Sequence, residues 1–182
     1  MGLRKAAVYK AFDRPFTRKS RVKGKDFIKA VPQLKVVKFS MGNVEKYNNN
    51  KFPFIMKVIA NEDMQVRDNA LESSRQIILR HLEADIGDFY FAVAVYPHHV
   101  LREHKMAAVA QSDRIFAGMS HAYGKPVSIA ARIHKGKDIF IVAVSSKAAV
   151  STVRAIFDMM RPKIGSSVSV VTKEIKIAEQ QE

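Results

Sequence analysis

Apolar residues recur along this chain with two different periods, and the two periods divide it into elements. Short runs rich in β-branched and aromatic residues predict strands at Val36 to Phe39 and Phe54 to Ile59. The polar stretch Tyr47 to Lys51, with Asn48, Asn49 and Asn50, predicts the loop between them. From Arg67 to Ala84 the spacing changes. Leu71, Ile78 and Leu82 fall on one face at near-helical intervals, and Gly87 is placed to stop that helix. Phe89 to Tyr96 predicts a buried strand ended by Pro97. Ser128 to His134 and Asp138 to Ser145 predict two strands joined as a hairpin across Lys135-Gly136-Lys137. Lys147 to Met160 predicts a second helix, with Val150, Val153, Phe157 and Met160 on one face. Ser146 is its expected N-cap, and Arg161 and Pro162 mark its expected end. Val168 to Ile177 predicts a final edge strand.

Between these elements, His98 to Lys125 is polar and basic and carries no strand pattern. A loop of that length inside a compact domain is usually functional or disordered. Strands and helices mix without regular alternation, which favours an α+β fold with a largely antiparallel sheet and two main helices over a doubly wound one. A basic, extended N-terminal tail precedes that domain. The expected organisation is an extension over residues 1–30 and a single domain over 31–177, interrupted by a long central basic loop over 98–127.

Charge sharpens this picture. The chain has 182 residues, with 31 Lys and Arg against 17 Asp and Glu, a net +14. Such an excess implies a polyanionic partner. Residues 1–25 hold nine basic residues and one acid, Asp13, too much self-repulsion for a packed core. Tyr9, Phe12 and Phe16 interleave with them. That mixture suits RNA, where cations meet phosphate and aromatics stack on exposed bases. Equally, Tyr9 and Phe16 could anchor the tail to its own domain. Residues 62–88 are the reverse, with seven acids and three arginines, and read as the side turned from RNA. Residues 96–137 swing back, with seven basic residues, two acids and five of the six histidines.

Several chemistries are excluded or weak. There is no cysteine, so disulfides, thiolate metal sites and a cysteine nucleophile are absent. No GxSxG elbow, GxxxxGK[ST] loop or GxGxxG fingerprint occurs. His98, His99 and His104, with Glu103 nearby, match no known metal-ligand frame and serve equally to hydrogen-bond phosphate or ribose. No apolar run approaches the ~20 residues of a membrane span. The expectation is therefore no catalytic residue, no metal, no cofactor, no small-molecule substrate and no membrane.

The central segment is more specific. His98-His99-Val100-Leu101-Arg102-Glu103-His104-Lys105-Met106 is followed by Ser112-Asp113-Arg114, Gly118-Met119, Ala122-Tyr123-Gly124-Lys125-Pro126 and Ala131-Arg132-Ile133-His134. These strings resemble the ribosomal protein family L-ten-e, the archaeal and eukaryotic counterpart of bacterial L-sixteen. Arg14-Pro15-Phe16-Thr17-Arg18, Val31-Pro32, Lys38-Phe39-Ser40-Met41-Gly42 and Asp68-Asn69-Ala70-Leu71-Glu72 resemble its other blocks, so the likeness runs from about Leu3 to Lys173. The chain ends soon after the last strand, without the eukaryotic extension, which points to an archaeal member. The resemblance implies a two-layer, non-catalytic protein lodged in large-subunit ribosomal RNA near the central protuberance, in the cytoplasmic ribosome. It implies as partners the 5S ribosomal RNA region, A-site tRNA and neighbouring ribosomal proteins. It also implies that the loop from Arg102 to Phe116 points toward the peptidyl transferase centre. The chain departs from the family there: Val109, Ala110, Gln111 and Ser112 stand where most members have a Gly-Ala-Gly-Ala run, and Ser120 where arginine is common. Valine does not permit the backbone conformations that glycine does.

Beside that resemblance, the residues themselves give a binding account. Arg4, Lys5, Arg14, Arg18, Lys19 and Arg21 in the tail are expected to meet RNA phosphates. In the centre, Arg102, Lys105, Arg114, Lys125, Arg132, Lys135 and Lys137 are the candidates, the arginines favoured because guanidinium grips phosphate with two donors. Binding should be steeply salt-dependent, about 0.7 to 0.9 log units per phosphate neutralised if DNA slopes carry over to RNA. The competing readings are a free nucleic-acid-binding protein outside the ribosome, a metal-dependent enzyme on the histidines, and a protein of anionic membrane surfaces.

Overall fold

The computed structural model describes residues 9–10, 31–103 and 125–175. Among these described residues there are two antiparallel sheets and three helices. In chain order they are β1 (Ser40–Gly42), α1 (Val44–Asn48), β2 (Phe54–Ala60), β3 (Met64–Arg67), α2 (Asp68–Asp85), β4 (Phe89–Val93), β5 (His99–Glu103), β6 (Lys125–Ile133), β7 (Asp138–Val144), α3 (Lys147–Ile164) and β8 (Val168–Glu174). The larger sheet has five strands in the order β1-β4-β7-β2-β8, and the smaller has three, β3-β6-β5. The α+β class, the antiparallel sheet and the two main helices thus stand as read from the sequence.

The larger sheet owes its place to alternation. Along β2, Met56, Val58 and Ala60 turn inward while Ile55, Lys57 and Ile59 stay half-buried on the other face. The inward set joins Phe91 of β4, Phe140 and Val142 of β7, and the apolar faces of both long helices in one core. Leu71, Ile78 and Leu82 of α2 are fully buried there, as their spacing predicts. On α3 the buried stripe is Ala149, Val153, Ile156, Phe157, Met160 and Ile164, so Ala149 takes the buried place expected for Val150.

Helix ends follow local chemistry. Gly87, at φ +74°, lets the chain turn so that its N–H reaches the Leu82 carbonyl at 3.1 Å. The Ser146 hydroxyl accepts from the Ala148 N–H at 3.3 Å, the cap expected of it. The helix does not stop at Arg161 and Pro162, however. It runs on to Ile164 and ends at Gly165, in the left-handed region at φ +68°. Pro162 lies in the last turn and removes only one bond, that to the carbonyl of exposed Asp158, which water can satisfy.

Four further expectations are corrected. The strand expected at Val36 to Phe39 forms three to four residues later, as Ser40–Gly42, because the earlier backbone is held by side chains: the Lys35 and Val37 N–H groups donate to Asp68 and Glu72 of α2. Part of the Tyr47 to Lys51 loop is helical, since Asn43 caps α1 by accepting from the Lys46 N–H. Residues 98–127 are not loop throughout, because β5 and the start of β6 lie inside that range. Finally, the turn at Lys135-Gly136-Lys137 is real, with Lys137 N–H donating to the His134 carbonyl, yet β6 and β7 are not a hairpin. They belong to different sheets. The turn closes instead on the end of β2, where Gly136 N–H donates to the Ala60 carbonyl at 2.8 Å and Ala60 N–H to the Lys137 carbonyl at 3.1 Å.

Candidate RNA interface

The smaller sheet positions the candidate residues. One of its faces, with Met64, Val66, Ala131 and Ile133, packs into the common core. Residues alternate along a strand, so Gln65, Arg67, Ala130 and Arg132 lie on the opposite face. That face carries a polar network built across three strands. Gln65 pairs with Arg132 in register, and the Arg132 Nε donates to Gln65 Oε1 at 3.4 Å. Arg132 Nη2 lies 3.1 Å from His99 Nε2 on β5. A guanidinium has donors only, so this contact makes that His99 nitrogen an acceptor.

The tail reaches this same face. Tyr9 is 1% exposed and packs against Leu101 and Ala130. Gln65 Nε2 donates to the Tyr9 carbonyl at 2.9 Å, and the Gln65 N–H to the Lys10 carbonyl at 3.0 Å. The Arg67 guanidinium sits over the Tyr9 ring, 4.7 Å from its centroid. Burial pulls the Arg67 pKa down from its ordinary value. Lys10 pairs with Glu62 at 2.6 Å, and that contact holds the Glu62 carboxyl below its usual range. Tyr9 is therefore an anchor to its own domain, the second of the two roles its sequence leaves open.

The candidates divide by position. Arg102 lies next to the end of β5, near Lys125, which opens β6: Arg102 pairs with Pro126 and Glu103 with Lys125. Both cations thus flank the central segment where the two strands lead into and out of it. Lys135 and Lys137 sit in the turn beyond the other end of β6, roughly 25–30 Å away at the rise of an extended strand. Lys125, Lys135 and Lys137 are exposed, and none forms a salt bridge among the described residues. Arg132 differs, being engaged with Gln65 and His99. Arg4, Lys5, Arg14, Arg18, Lys19, Arg21, Lys105 and Arg114 lie outside the described residues, as do Phe16, Val109, Gln111, Ser112 and Ser120.

The acids of residues 62–88, which the charge pattern reads as the side turned from RNA, also tie the chain together. Asp68, fully buried, accepts from the Lys35 N–H, and Glu72 accepts from the Val37 N–H, Gln76 and both Nε and Nη2 of Arg75. Arg75 holds the Glu72 carboxyl below its usual range. Asp63 accepts from the Lys135 N–H at 2.8 Å, and this bond is the main cause of its own lowered pKa. Period and charge counts carry no signal for the Lys35, Val37 and Lys135 N–H partners, because those bonds join residues far apart in sequence. Among the described residues, no group of three His, Asp or Glu side chains is placed to hold a metal ion, and no helix is long and apolar enough to cross a membrane.

The family described as ribosomal protein L16p/L10e matches residues 13–171. The chain belongs to that family. A large ribosomal subunit protein uL16 of Hyperthermus butylicus is 43% identical over 135 residues, 73% of this chain and 69% of the relative. That of Staphylothermus marinus is 40% identical over 147 residues, 79% of each. That of Metallosphaera sedula is 35% identical over 180 residues, 97% of each. These relatives are archaeal, consistent with an archaeal member of the family. The family match begins at Asp13 and ends at Val171, so it spans most of the tail beyond Tyr9, the smaller sheet, and the larger sheet up to the middle of β8.

Proposed function

We propose that this chain grips large-subunit ribosomal RNA with two basic regions, residues 1–30 and 98–127, carried by one domain over 31–177. As a member of its family it is a structural, non-catalytic constituent of the large ribosomal subunit, at work in the cytoplasmic ribosome beside ribosomal RNA and other ribosomal proteins. The finer reading is that the segment from Arg102 to Phe116 shapes the A-site tRNA region near the peptidyl transferase centre, and that the 5S ribosomal RNA region lies within reach.

One observation carries the proposal. Both basic regions, distant in sequence, converge on the three-stranded sheet: Tyr9 and Lys10 bond to β3, while β5 and β6 frame the central segment. A sheet anchored in the core gives each region a fixed starting direction, and phosphate contacts then set register on the RNA. Arg4, Lys5, Arg14, Arg18, Lys19 and Arg21 serve the first region. Arg102, Lys105, Arg114 and Lys125 serve the second, with Lys135 and Lys137 at the far end of β6. Arg132, exposed on β6, serves with them while also bonding His99 and Gln65.

The test is sedimentation of a cell lysate on sucrose gradients at low and moderately high salt, with detection of this chain. Co-sedimentation with the large subunit that survives the salt is expected. Sedimentation near the top at low salt would overturn the reading and favour a free nucleic-acid-binding protein.

A further inference from the structure

A further surface, outside the tail and overlapping the second basic region only at His98, has the make-up of a nucleotide site. Tyr96 is 58% exposed although it is a large aromatic. Its ring stacks on Phe39, with centroids 5.2 Å apart and planes at 26°. One face of the tyrosine is thereby held against a partner, and its exposed area is left to the other face and the edge. Phe39 is itself fixed, since its carbonyl accepts from the Val93 N–H at 2.8 Å and its side chain packs on the core.

The surroundings are cationic. Lys35 and Lys38 precede Phe39 in an extended segment, both are exposed, and neither forms a salt bridge among the described residues. Exposed His98 has its Nδ1 3.1 Å from the Tyr96 carbonyl, and its second ring nitrogen becomes a donor when the ring is protonated. Neither residues 31–41 nor residues 89–102 contain an Asp or Glu. The carboxylates that reach this segment from α2 are Asp68 and Glu72. They face inward onto the Lys35 and Val37 N–H groups, and Arg75 neutralises Glu72.

We propose that Tyr96, backed by Phe39, is a stacking platform for an unpaired nucleotide of the ribosomal RNA, with Lys38 and His98 meeting its phosphates. A rim of lysines without carboxylates suits a polyanion, and every base offers a π-face to an aromatic ring. The inference rests on the ribosomal reading and adds to it a contact residue and its ligand chemistry.

Large subunits carrying the wild-type chain are irradiated with ultraviolet light, digested and analysed by mass spectrometry. A nucleotide adduct on Tyr96 is expected. Chemical probing of the RNA in subunits with Tyr96→Leu should show an unpaired nucleotide gaining reactivity about tenfold. Tyr96→Phe, which keeps the ring, should restore protection. If Tyr96 cross-links only to a protein, or reacts with a tyrosine reagent equally in the subunit and in free protein, the platform is refuted. Sedimentation of the same samples separates the two failures. A chain present in the subunit without a nucleotide on Tyr96 sinks the platform alone, whereas a chain absent from the subunit sinks both readings.

Discussion

The two sheets are built by different means. The five-stranded sheet and the two long helices share a core of side chains such as Phe91, Phe140, Val153 and Phe157, all fully buried and all apolar. The three-stranded sheet reaches that core with one face only. Its other face is closed by a polar network and by Tyr9, which comes from 55 or more residues upstream of its partners Gln65 and Arg67. Apolar packing is non-directional and tolerates local adjustment, whereas the network fixes named donors against named acceptors. The first region makes the molecule stable. The second sets the geometry of what the molecule presents.

The sharpest test of that division lies in the larger core. Phe157→Ala removes a fully buried aromatic and should cost about 3–5 kcal/mol of unfolding free energy, read by chemical denaturation. Next comes the buried pair beneath the extended segment. Arg75→Ala leaves the Glu72 carboxylate without its cation and should cost about 3 kcal/mol at neutral pH. Because Arg75 lowers the Glu72 pKa from its ordinary value of 4.5, the stabilisation from this pair is fully present above that pH. It is lost as the pH falls through the lowered value. The gap between wild type and variant should therefore narrow in acid, and a gap independent of pH would show that the pair contributes by shape alone.

Smaller effects separate the two sheets. Tyr9→Ala should change global unfolding by less than about 1 kcal/mol while speeding hydrogen exchange at the Gln65 amide about tenfold, since that amide bonds to the Lys10 carbonyl. A global loss as large as that of Phe157→Ala would merge the two regions into one. Arg102→Ala should leave the melting of the isolated protein within about 0.5 kcal/mol of wild type. Its expected defect is in late subunit maturation or tRNA accommodation, read by subunit profiles and by translation assays. A clear drop in melting would make Arg102 a structural residue.

Legibility in the sequence follows the same division. The helices at Leu71 to Leu82 and Val153 to Met160, and the strands at Phe54 and Phe89, announce themselves because a buried face imposes a period. β5 does not, since His99, Arg102 and Glu103 break the apolar pattern and the strand is defined by its partner β6. The short β3 hides for a related reason: Gln65 and Arg67 belong to the network face, where polar side chains are buried by one another and by Tyr9. The hairpin reading of Lys135 to Lys137 identifies a turn correctly and assigns its strands wrongly, because a turn signal fixes local direction and not which sheet each arm joins. Among the candidate contacts, Arg132 illustrates the limit. A basic residue in a basic stretch looks like its neighbours until its hydrogen-bond partners are known.

The crossing between the sheets has a mechanical consequence. Four connections cross between the sheets, and two of them, β2 to β3 and β6 to β7, meet at one place. They are stitched together by the paired bonds between Ala60 and the turn at residues 136–137, and by Asp63 accepting from Lys135. A single linker would be a swivel, but two linkers stitched side by side resist both bending and twist. β5 and β6 are thus held in a fixed direction relative to the larger sheet, and a partner that binds beside them meets no entropy cost of choosing it.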